Sequence, residues 1–430
     1  MRALNLQSLT ERTLVSALLL AWIGPLILTG VRNLPRSHKL GRFLDSALIG
    51  RVNLTGVTES HPDVPLSWNS IMTAEFQKEK AREFDEQVSG RELMIRATDE
   101  LWFRLFHDTA SSRSTIAVGK HDVLFENTYL QEYFVARNTK AVLEPWIKQL
   151  RQLQDYCRSI GMGFAVVIAP SKVAVYPEAV PENWRRRADP RPRGPAVVAD
   201  LLRENEIDWI DGNELMQREK RKSPPAPLFP KGGAHWSRRG VFIAANEIQK
   251  RFSQQGKPAE QIQAVGDWVV DTPSGDEADL VNVMNLLFNW KYPCERITIA
   301  PSNRPAEKRM TLAAVGDSFS WSLLRVLNES AQFSDIAFYY YYPQNKTRSG
   351  SGPSNVPGRL RIYPTEQFET VRTPAAPLDF AAEIFSADCL LLEITEAGVV
   401  SPEHHLARFL RDALAHLPNP AGPRPTFRPD

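Results

Sequence analysis

The sequence has little cysteine and no excess of charge of either sign. Its 430 residues include three cysteines, Cys157, Cys294 and Cys389, which lie far apart and form no CxxC pair. A disulfide framework and a zinc knuckle are therefore excluded, and the odd count leaves at least one thiol outside any disulfide. There are 52 basic and 50 acidic residues, and the net charge of +2 gives no basis for a nucleic-acid partner.

Two motifs that bind cofactors are also missing. The chain has no GxxxxGK[ST] loop for a nucleotide phosphate and no HExxH pair for zinc. We therefore expect no bound cofactor and no metal. Apolar residues make up 43% and charged residues 24% of the chain, which is ordinary globular composition. At roughly 100–200 residues per domain, the length allows about two to three domains.

One uncharged run lies near the N-terminus, at residues 13–31. Its length matches the roughly 20 apolar residues that cross a bilayer as a helix, so we expect a transmembrane anchor preceded by a cytoplasmic segment, 1–12. A core helix fits less well because the run is apolar all round. A cleaved signal peptide is the alternative, although no small-x-small cleavage pattern follows the run cleanly. The charge bias alone would place the main domain in the cytoplasm, because more basic residues follow the run than precede it: Arg32, Arg36, Lys39 and Arg42 against Arg2 and Arg12.

The remainder divides into a charged segment at 32–115, an alternating segment at 116–415 and a proline-rich tail at 416–430. Sparse apolar residues among charges predict a surface helix over 71–88, within a helical linker. The tail is expected to be disordered, and a second stretch rich in proline, glycine and serine, 345–358, is expected to form a loop.

Short apolar runs separated by helical periodicity mark the segment at 116–415. Continuous apolar runs are typical of strands that are buried on both faces. Their alternation with helices predicts an α/β fold with a doubly wound, mostly parallel sheet. The strands are predicted at 164–169, 207–211, 311–315, 336–342 and 389–394, and the helices at 142–160, 195–206, 239–252 and 319–328.

The sharpest local signal is a serine directly after a predicted strand. Residues 315–320 read VGDSFS and open a helix, which places Ser318 at the carboxyl edge of the sheet, where open α/β folds bind ligands. Gly316 permits a tight turn, Asp317 is expected to brace it by accepting backbone N–H bonds, and nearby N–H groups suit an oxyanion. A serine that merely caps its helix is the alternative.

The second signal is a histidine in a glycine-containing loop before another helix. His235 lies in the segment FPKGGAHWSRRG and could act as general base toward Ser318 near neutral pH. Trp236 and Tyr339 are candidates for stacking on a sugar, with half-buried core positions as the alternative.

The GDS segment and the His235-Trp236 pair together resemble the signature of SGNH-type serine esterases and acyltransferases. The wider likeness is to their AlgJ/AlgX-like branch, the periplasmic alginate O-acetyltransferases, over about residues 116–400. Four more segments that resemble this branch lie in the same order along the chain, before the GDS segment: 117–125, 169–178, 209–215 and 286–290.

The resemblance implies an SGNH hydrolase-like domain that lies in the periplasm and is held to the inner membrane by one helix. This location is opposite to the cytoplasmic one that the charge bias alone would give. An acetyl group would pass through Ser318, with His235 as base, to hydroxyls of an exported polysaccharide. A separate multispanning membrane O-acyltransferase would supply the acetyl group. An SGNH esterase that admits water and a non-catalytic subunit of a polysaccharide secretion machine are the alternative functions.

The sequence departs from this family at one important position. The family pattern is Asp-x-His-Trp, but here the first residue is Gly233, and Gly232 stands where related esterases carry an aspartate three residues before the histidine. Asp211 and Glu393, near the ends of predicted strands, are candidates for the missing His-orienting acid. A Ser–His dyad and an inactive site are the other possibilities. A Gly233→Asp change is expected to raise the rate if position 233 points at the ring.

Overall fold

The computed structural model describes residues 54, 64–87, 91–111, 114–135, 140–187, 193–222, 227–288, 290–340, 358–362, 368–369, 378–401 and 403–420. The expected anchor at 13–31, the segment at 1–12, the loop at 345–357 and residues 421–430 lie outside them. Within the described residues, no helix has the length and apolar character needed to cross a bilayer.

The strands, in chain order, are β1 (Ile116–Val118), β2 (Leu124–Glu126), β3 (Gly163–Ala169), β4 (Trp209–Asp211), β5 (Ala264–Asp271), β6 (Cys294–Ile299), β7 (Met310–Val315), β8 (Phe333–Tyr340), β9 (Gly358–Ile362), β10 (Phe368–Glu369) and β11 (Cys389–Thr395). The helices are α1 (Trp68–Met72), α2 (Glu75–Gln87), α3 (Arg91–Phe106), α4 (Asn127–Phe134), α5 (Lys140–Ser159), α6 (Lys172–Val175), α7 (Glu182–Arg185), α8 (Gly194–Glu204), α9 (Gly212–Lys220), α10 (Arg238–Gln254), α11 (Asp279–Val283), α12 (Ser320–Glu329) and α13 (His405–Ala415). A π-helical turn covers Phe380–Ile384.

The chain divides into two compact units, one built from residues up to 114 together with 281–290, and the other from the remainder. The first unit contains α1 to α3. The single helix expected over 71–88 is broken between α1 and α2, because Ala74 has a φ of 59°, which a right-handed helix does not contain. The segment 281–290 is fixed to α3 by the Phe103 and Trp290 rings, whose centroids lie 5.1 Å apart.

A seven-stranded sheet forms the centre of the second unit, in the order β10-β9-β8-β7-β11-β3-β4. The five strands β8, β7, β11, β3 and β4 run parallel, and β9 and β10 add an antiparallel edge. These five are the strands that the apolar runs predict, so the mostly parallel α/β sheet is confirmed.

Helices cover both faces of this sheet, as the doubly wound pattern requires. The helices α10 and α12 pack on one face, over buried residues such as Leu312 and Leu391. On the other face α5, α8 and α13 pack over Leu390 and Leu392. Side chains alternate between the two faces along β11, which explains why its sequence is apolar at nearly every position.

Candidate active site

Ser318 and His235 meet at the carboxyl edge of the sheet. Ser318 lies in the turn between β7 and α12, and His235 lies in the loop that leads into α10. The two helices pack against each other on the same face of the sheet, so the loops before them are neighbours. The Nε2 atom of His235 is 2.9 Å from the Oγ atom of Ser318, although 83 residues separate them. This predicted convergence is confirmed, and both side chains are only partly buried.

The turn that carries Ser318 is held by its neighbour Asp317. One carboxylate oxygen of Asp317 accepts the N–H of Phe319 at 2.9 Å, and the other accepts the N–H of Thr395 at 2.8 Å. Asp317 therefore braces the turn, as predicted, and ties it to the end of β11. Gly316 is required for close approach, because a Cβ there would lie 2.0 Å from the Oγ of Ser320.

The histidine loop is tied to the same turn by Trp236. Its indole Nε1 donates to the carbonyl of Phe319 at 3.2 Å and to the hydroxyl of Ser322 at 2.9 Å. On the other side of the loop, the buried Lys172 ammonium group donates to the carbonyl of Lys231 at 3.1 Å. Burial lowers the pKa of Lys172 to about 7. These contacts fix the loop from both sides, so the position of His235 does not depend on one interaction.

A third residue completes the arrangement, and no motif in the sequence points to it. The Oδ2 atom of Asp279, the first residue of α11, lies 2.7 Å from the Nδ1 atom of His235. The other oxygen of Asp279 accepts the backbone N–H of Ala234 at 2.8 Å, which aligns the carboxylate with the histidine loop. With Nδ1 bonded to a carboxylate, the hydrogen-bond pattern assigns the proton to Nδ1 and leaves Nε2 to accept the Ser318 proton.

The segment before Asp279 explains why position 233 is glycine. A 3₁₀ turn at Gly275–Glu277 lies against the histidine loop, and a Cβ on Gly233 would be 2.5 Å from the carbonyl oxygen of Asp276. Glu277 anchors this turn by pairing with Arg296 and by accepting, through its own carbonyl, the hydroxyl of Tyr292. The structure therefore contradicts the expectation that an aspartate at 233 would restore the site: the space is occupied by backbone.

The two acids that the sequence suggested as partners of His235 have other contacts. Asp211 caps α9 by accepting the N–H of Glu214 at 3.0 Å. It ends β4, three strand positions from β7, which is about 14 Å at the usual strand spacing. Glu393 is fully buried in β11 and contacts the serine turn instead of the imidazole. Both assignments are wrong, and Asp279 has the position they were meant to fill.

The suggested sugar-stacking residues are buried. Trp236 is 2% exposed and uses its indole to connect the loop of His235 to the turn of Ser318. Tyr339 is 1% exposed and packs on the opposite face of the sheet, where its hydroxyl lies 3.4 Å from the carbonyl of Glu383. Neither ring presents a face to a ligand, so the alternative of core positions is correct for both.

Residues 116–333, half of the chain, match the family described as the SGNH hydrolase-like domain of the acetyltransferase AlgX. The chain belongs to this AlgX family. No curated protein matches the chain.

Similar solved structures have low sequence identity to this AlgX-family chain. The O-acetyltransferase domain of Pseudomonas putida AlgJ is 17% identical, with 70% of this chain and 100% of that chain covered and a TM-score of 0.40. Pseudomonas aeruginosa AlgX is 16% identical, with 69% and 67% covered and a TM-score of 0.42. Bacillus cereus PatB1 is 10% identical, with 66% and 96% covered and a TM-score of 0.42.

The protonation state of His235 in this AlgX-type site is set by two opposing effects. Burial by itself lowers the pKa of the imidazole, but the hydrogen bond and the negative charge of Asp279 raise it, with smaller contributions from Asp276 and Asp317. The result is a His235 pKa above its ordinary value. A more basic imidazole is a stronger acceptor for the serine proton, provided that the pH is high enough to keep it neutral.

An oxyanion could be held next to Ser318. Among the residues that the structure describes, no group accepts a hydrogen bond from the Ser318 N–H, and this N–H precedes the first turn of α12. The positive end of a helix dipole favours negative charge at the same place. The site thus brings together a serine hydroxyl, an imidazole that can accept its proton, a carboxylate on the other ring nitrogen and a backbone N–H, which are the groups that acyl transfer through serine requires.

Proposed function

We propose that the chain is an O-acetyltransferase that moves acetyl groups onto hydroxyls of a polysaccharide through an acetyl-Ser318 intermediate. The observation that carries the proposal is the continuous hydrogen-bonded array from Ser318 through His235 to Asp279, with contacts of 2.9 Å and 2.7 Å. Membership of the AlgX acetyltransferase family supports the choice of acetyl as the transferred group. The complete array favours an enzyme over a non-catalytic binding subunit. The binding subunit was an alternative because the acid that orients His235 was missing from the sequence pattern, and Asp279 occupies that position.

In the first half-reaction, Ser318 attacks the carbonyl carbon of an acetyl ester. His235 Nε2 takes the hydroxyl proton as the Oγ–C bond forms, and Asp279 stabilises the imidazolium that results. The Ser318 N–H donates to the oxyanion of the tetrahedral intermediate. When the intermediate collapses, the bond to the leaving alkoxide breaks and His235 returns the proton to it. Acetyl-Ser318 remains.

In the second half-reaction, a sugar hydroxyl attacks the acetyl-Ser318 carbonyl. His235 removes the proton of that hydroxyl, and the same N–H group holds the second oxyanion. Collapse of this intermediate returns the proton to Ser318 Oγ and releases the O-acetyl sugar. Water can enter the same step and give acetate, so a transferase and an esterase differ only in which hydroxyl reaches the acetyl-enzyme first.

The fate of the acetyl group tests this function. The protein would be given 4-nitrophenyl acetate and an oligosaccharide acceptor, and acetylated sugar and free acetate would both be quantified. We expect acetylated sugar to exceed acetate at saturating acceptor, and Ser318→Ala to reduce both products to background. Ser334→Ala, which removes an exposed serine on β8, is the matched control and should leave the rates unchanged.

Two outcomes would change the assignment. Acetate as the sole product at saturating acceptor would make the protein an esterase. Sugar acetylation by Ser318→Ala at the normal rate would exclude the serine mechanism altogether.

The cellular setting is part of the same proposal. The apolar run at 13–31 supports an anchor in the inner membrane, and acetylation of an exported polysaccharide requires the domain to lie on the periplasmic side. Acetyl groups made in the cytoplasm must then cross the membrane, which calls for a separate multispanning O-acyltransferase as donor.

A further inference from the structure

A buried carboxyl group lies directly behind the nucleophile turn and plays no part in the triad. Glu393 is 0% exposed, near the end of β11, the strand next to β7. Its Oε2 atom accepts the backbone N–H of Asp317 at 3.1 Å and the hydroxyl of Ser320 at 2.6 Å. These two donors stand on opposite sides of Ser318 in the chain, one residue before it and two residues after it.

This contact depends on a gap left by Gly316. A Cβ at that position would lie 2.8 Å from Oε2 of Glu393 and 3.2 Å from its Cβ. The glycine of the GDS segment therefore lets a side chain from the neighbouring strand reach under the turn. Because Ser320 is the first residue of α12, a single oxygen atom connects the backbone of Asp317, two residues beyond β7, to the start of the helix.

We propose that Glu393 is a positioning residue for Ser318, which fixes the nucleophile turn by accepting hydrogen bonds from both of its flanks. The inference rests on the proposed function, because it concerns the geometry of the same nucleophile. Glu393 does not touch the substrate in this account. It acts through the backbone of Asp317 and the hydroxyl of Ser320, and it sets the angle at which Ser318 faces the acetyl carbonyl.

The surroundings of Glu393 favour an uncharged acid at this position. Its second oxygen, Oε1, is buried and has no hydrogen-bond partner among the described residues, so no donor there stabilises an ionised carboxylate. Burial, followed by the negative charge of Asp317, raises the pKa of Glu393 well above its ordinary value. A neutral carboxyl group is close in shape to the amide of glutamine, and the amide oxygen can accept the same two hydrogen bonds.

That similarity provides the test. Glu393→Gln keeps an acceptor for both donors, whereas Glu393→Leu leaves the Asp317 N–H and the Ser320 hydroxyl buried without a partner. The rate of Ser318 acetylation by 4-nitrophenyl acetate would be measured by stopped flow, together with KM and thermal unfolding. We expect the acetylation rate of Glu393→Gln to stay within about threefold of the wild-type rate. The same rate, and kcat with it, should fall about 30-fold in Glu393→Leu, with KM nearly unchanged.

Two results would overturn the inference. Full activity in Glu393→Leu would show that the contacts do not position the serine. An equal loss in Glu393→Gln and Glu393→Leu would show that negative charge is needed, not an acceptor. Ser318→Ala, assayed in parallel, separates this test from the proposed function: if it remains active, the function is wrong, whatever Glu393 does.

A second variant keeps the inference testable if Glu393→Leu fails to fold. Ser320→Ala removes only the hydroxyl donor and leaves the Glu393 bond to the Asp317 N–H in place. We expect a smaller loss in kcat, about three- to tenfold, again with little change in KM. An unchanged kcat in Ser320→Ala would contradict the proposed role.

Discussion

Asp279 shows that the position of a carboxylate in space matters more than its position in the sequence. The family pattern places the acid two residues before the histidine, yet here it comes from a helix start 44 residues after it. The backbone of the 3₁₀ turn at Gly275–Glu277 occupies the space beside Gly233, and the same segment delivers Asp279 to Nδ1 of His235. The packing of this one segment against the histidine loop thus accounts both for glycine at position 233 and for the contact of Asp279 with His235.

Replacing Asp279 provides a direct test at the residue scale. In Asp279→Asn, the amide group can no longer hold His235 in the required tautomer or stabilise the imidazolium, and we expect kcat to fall by about 10³–10⁴-fold. The measurement is steady-state acetyl transfer at fixed pH. Asp211→Asn is the matched control, because asparagine caps a helix as well as aspartate does, and it should keep full activity. Equal losses in the two variants would contradict the assignment of Asp279.

The pH dependence of the reaction follows from the raised pKa of His235. The neutral imidazole is the base, so kcat/KM should be highest above the His235 pKa and fall as the pH drops through it. Because this pKa lies above its ordinary value of 6.5, the midpoint of the acid limb should lie above pH 6.5. Asp279→Asn removes the charge that raises it, so the midpoint of the residual activity should move to lower pH. A midpoint unmoved by that substitution would show that Asp279 does not set the pKa.

At the scale of elements, the sequence predicts the strands of the parallel sheet and misses an exposed strand and a short helix. Three of the five parallel strands, β3, β7 and β11, are readable because they are apolar at nearly every position. The antiparallel pair β5 and β6 is missed because β5 is exposed along nearly all of its length, and its longest apolar run is only three residues, Trp268 to Val270. Asp279 is missed for a related reason: it begins a five-residue helix within an acidic stretch that reads as a surface turn.

The 3₁₀ turn at Gly275–Glu277 packs against the histidine loop, so we expect a Gly233→Asp substitution to disturb this contact. Gly233→Asp would force its side chain into the carbonyl oxygens of Asp276 and Glu277, which a Cβ would approach to 2.5 Å and 2.7 Å. We expect a loss of about 1–3 kcal/mol in the free energy of unfolding and lower acetyl transfer, because the displaced turn carries Asp279 with it. Chemical denaturation and the transfer assay measure the two effects. A variant that is as stable as the parent and faster would contradict this packing.

At the scale of the whole molecule, the proposed periplasmic location conflicts with the charge distribution around residues 13–31. A reporter enzyme that is active only outside the cytoplasm, fused after Arg42, tests the orientation. We expect it to be active, since folded domains can override a small positive-inside bias. A reporter that is active only in the cytoplasm, fused at the same point, is the control and should be silent. The reverse pattern would place the domain on the wrong side for an exported polymer.

The central claim is that acetyl groups pass through Ser318, and a covalent intermediate tests it most directly. The protein would be mixed with 4-nitrophenyl acetate, quenched in acid within the first turnover and digested for mass spectrometry. We predict one acetyl group on the peptide that contains Ser318, lost when an oligosaccharide acceptor is added before the quench, and absent in Ser318→Ala. Acetylation of another residue, or an unlabelled protein that still acetylates the sugar, would contradict the account.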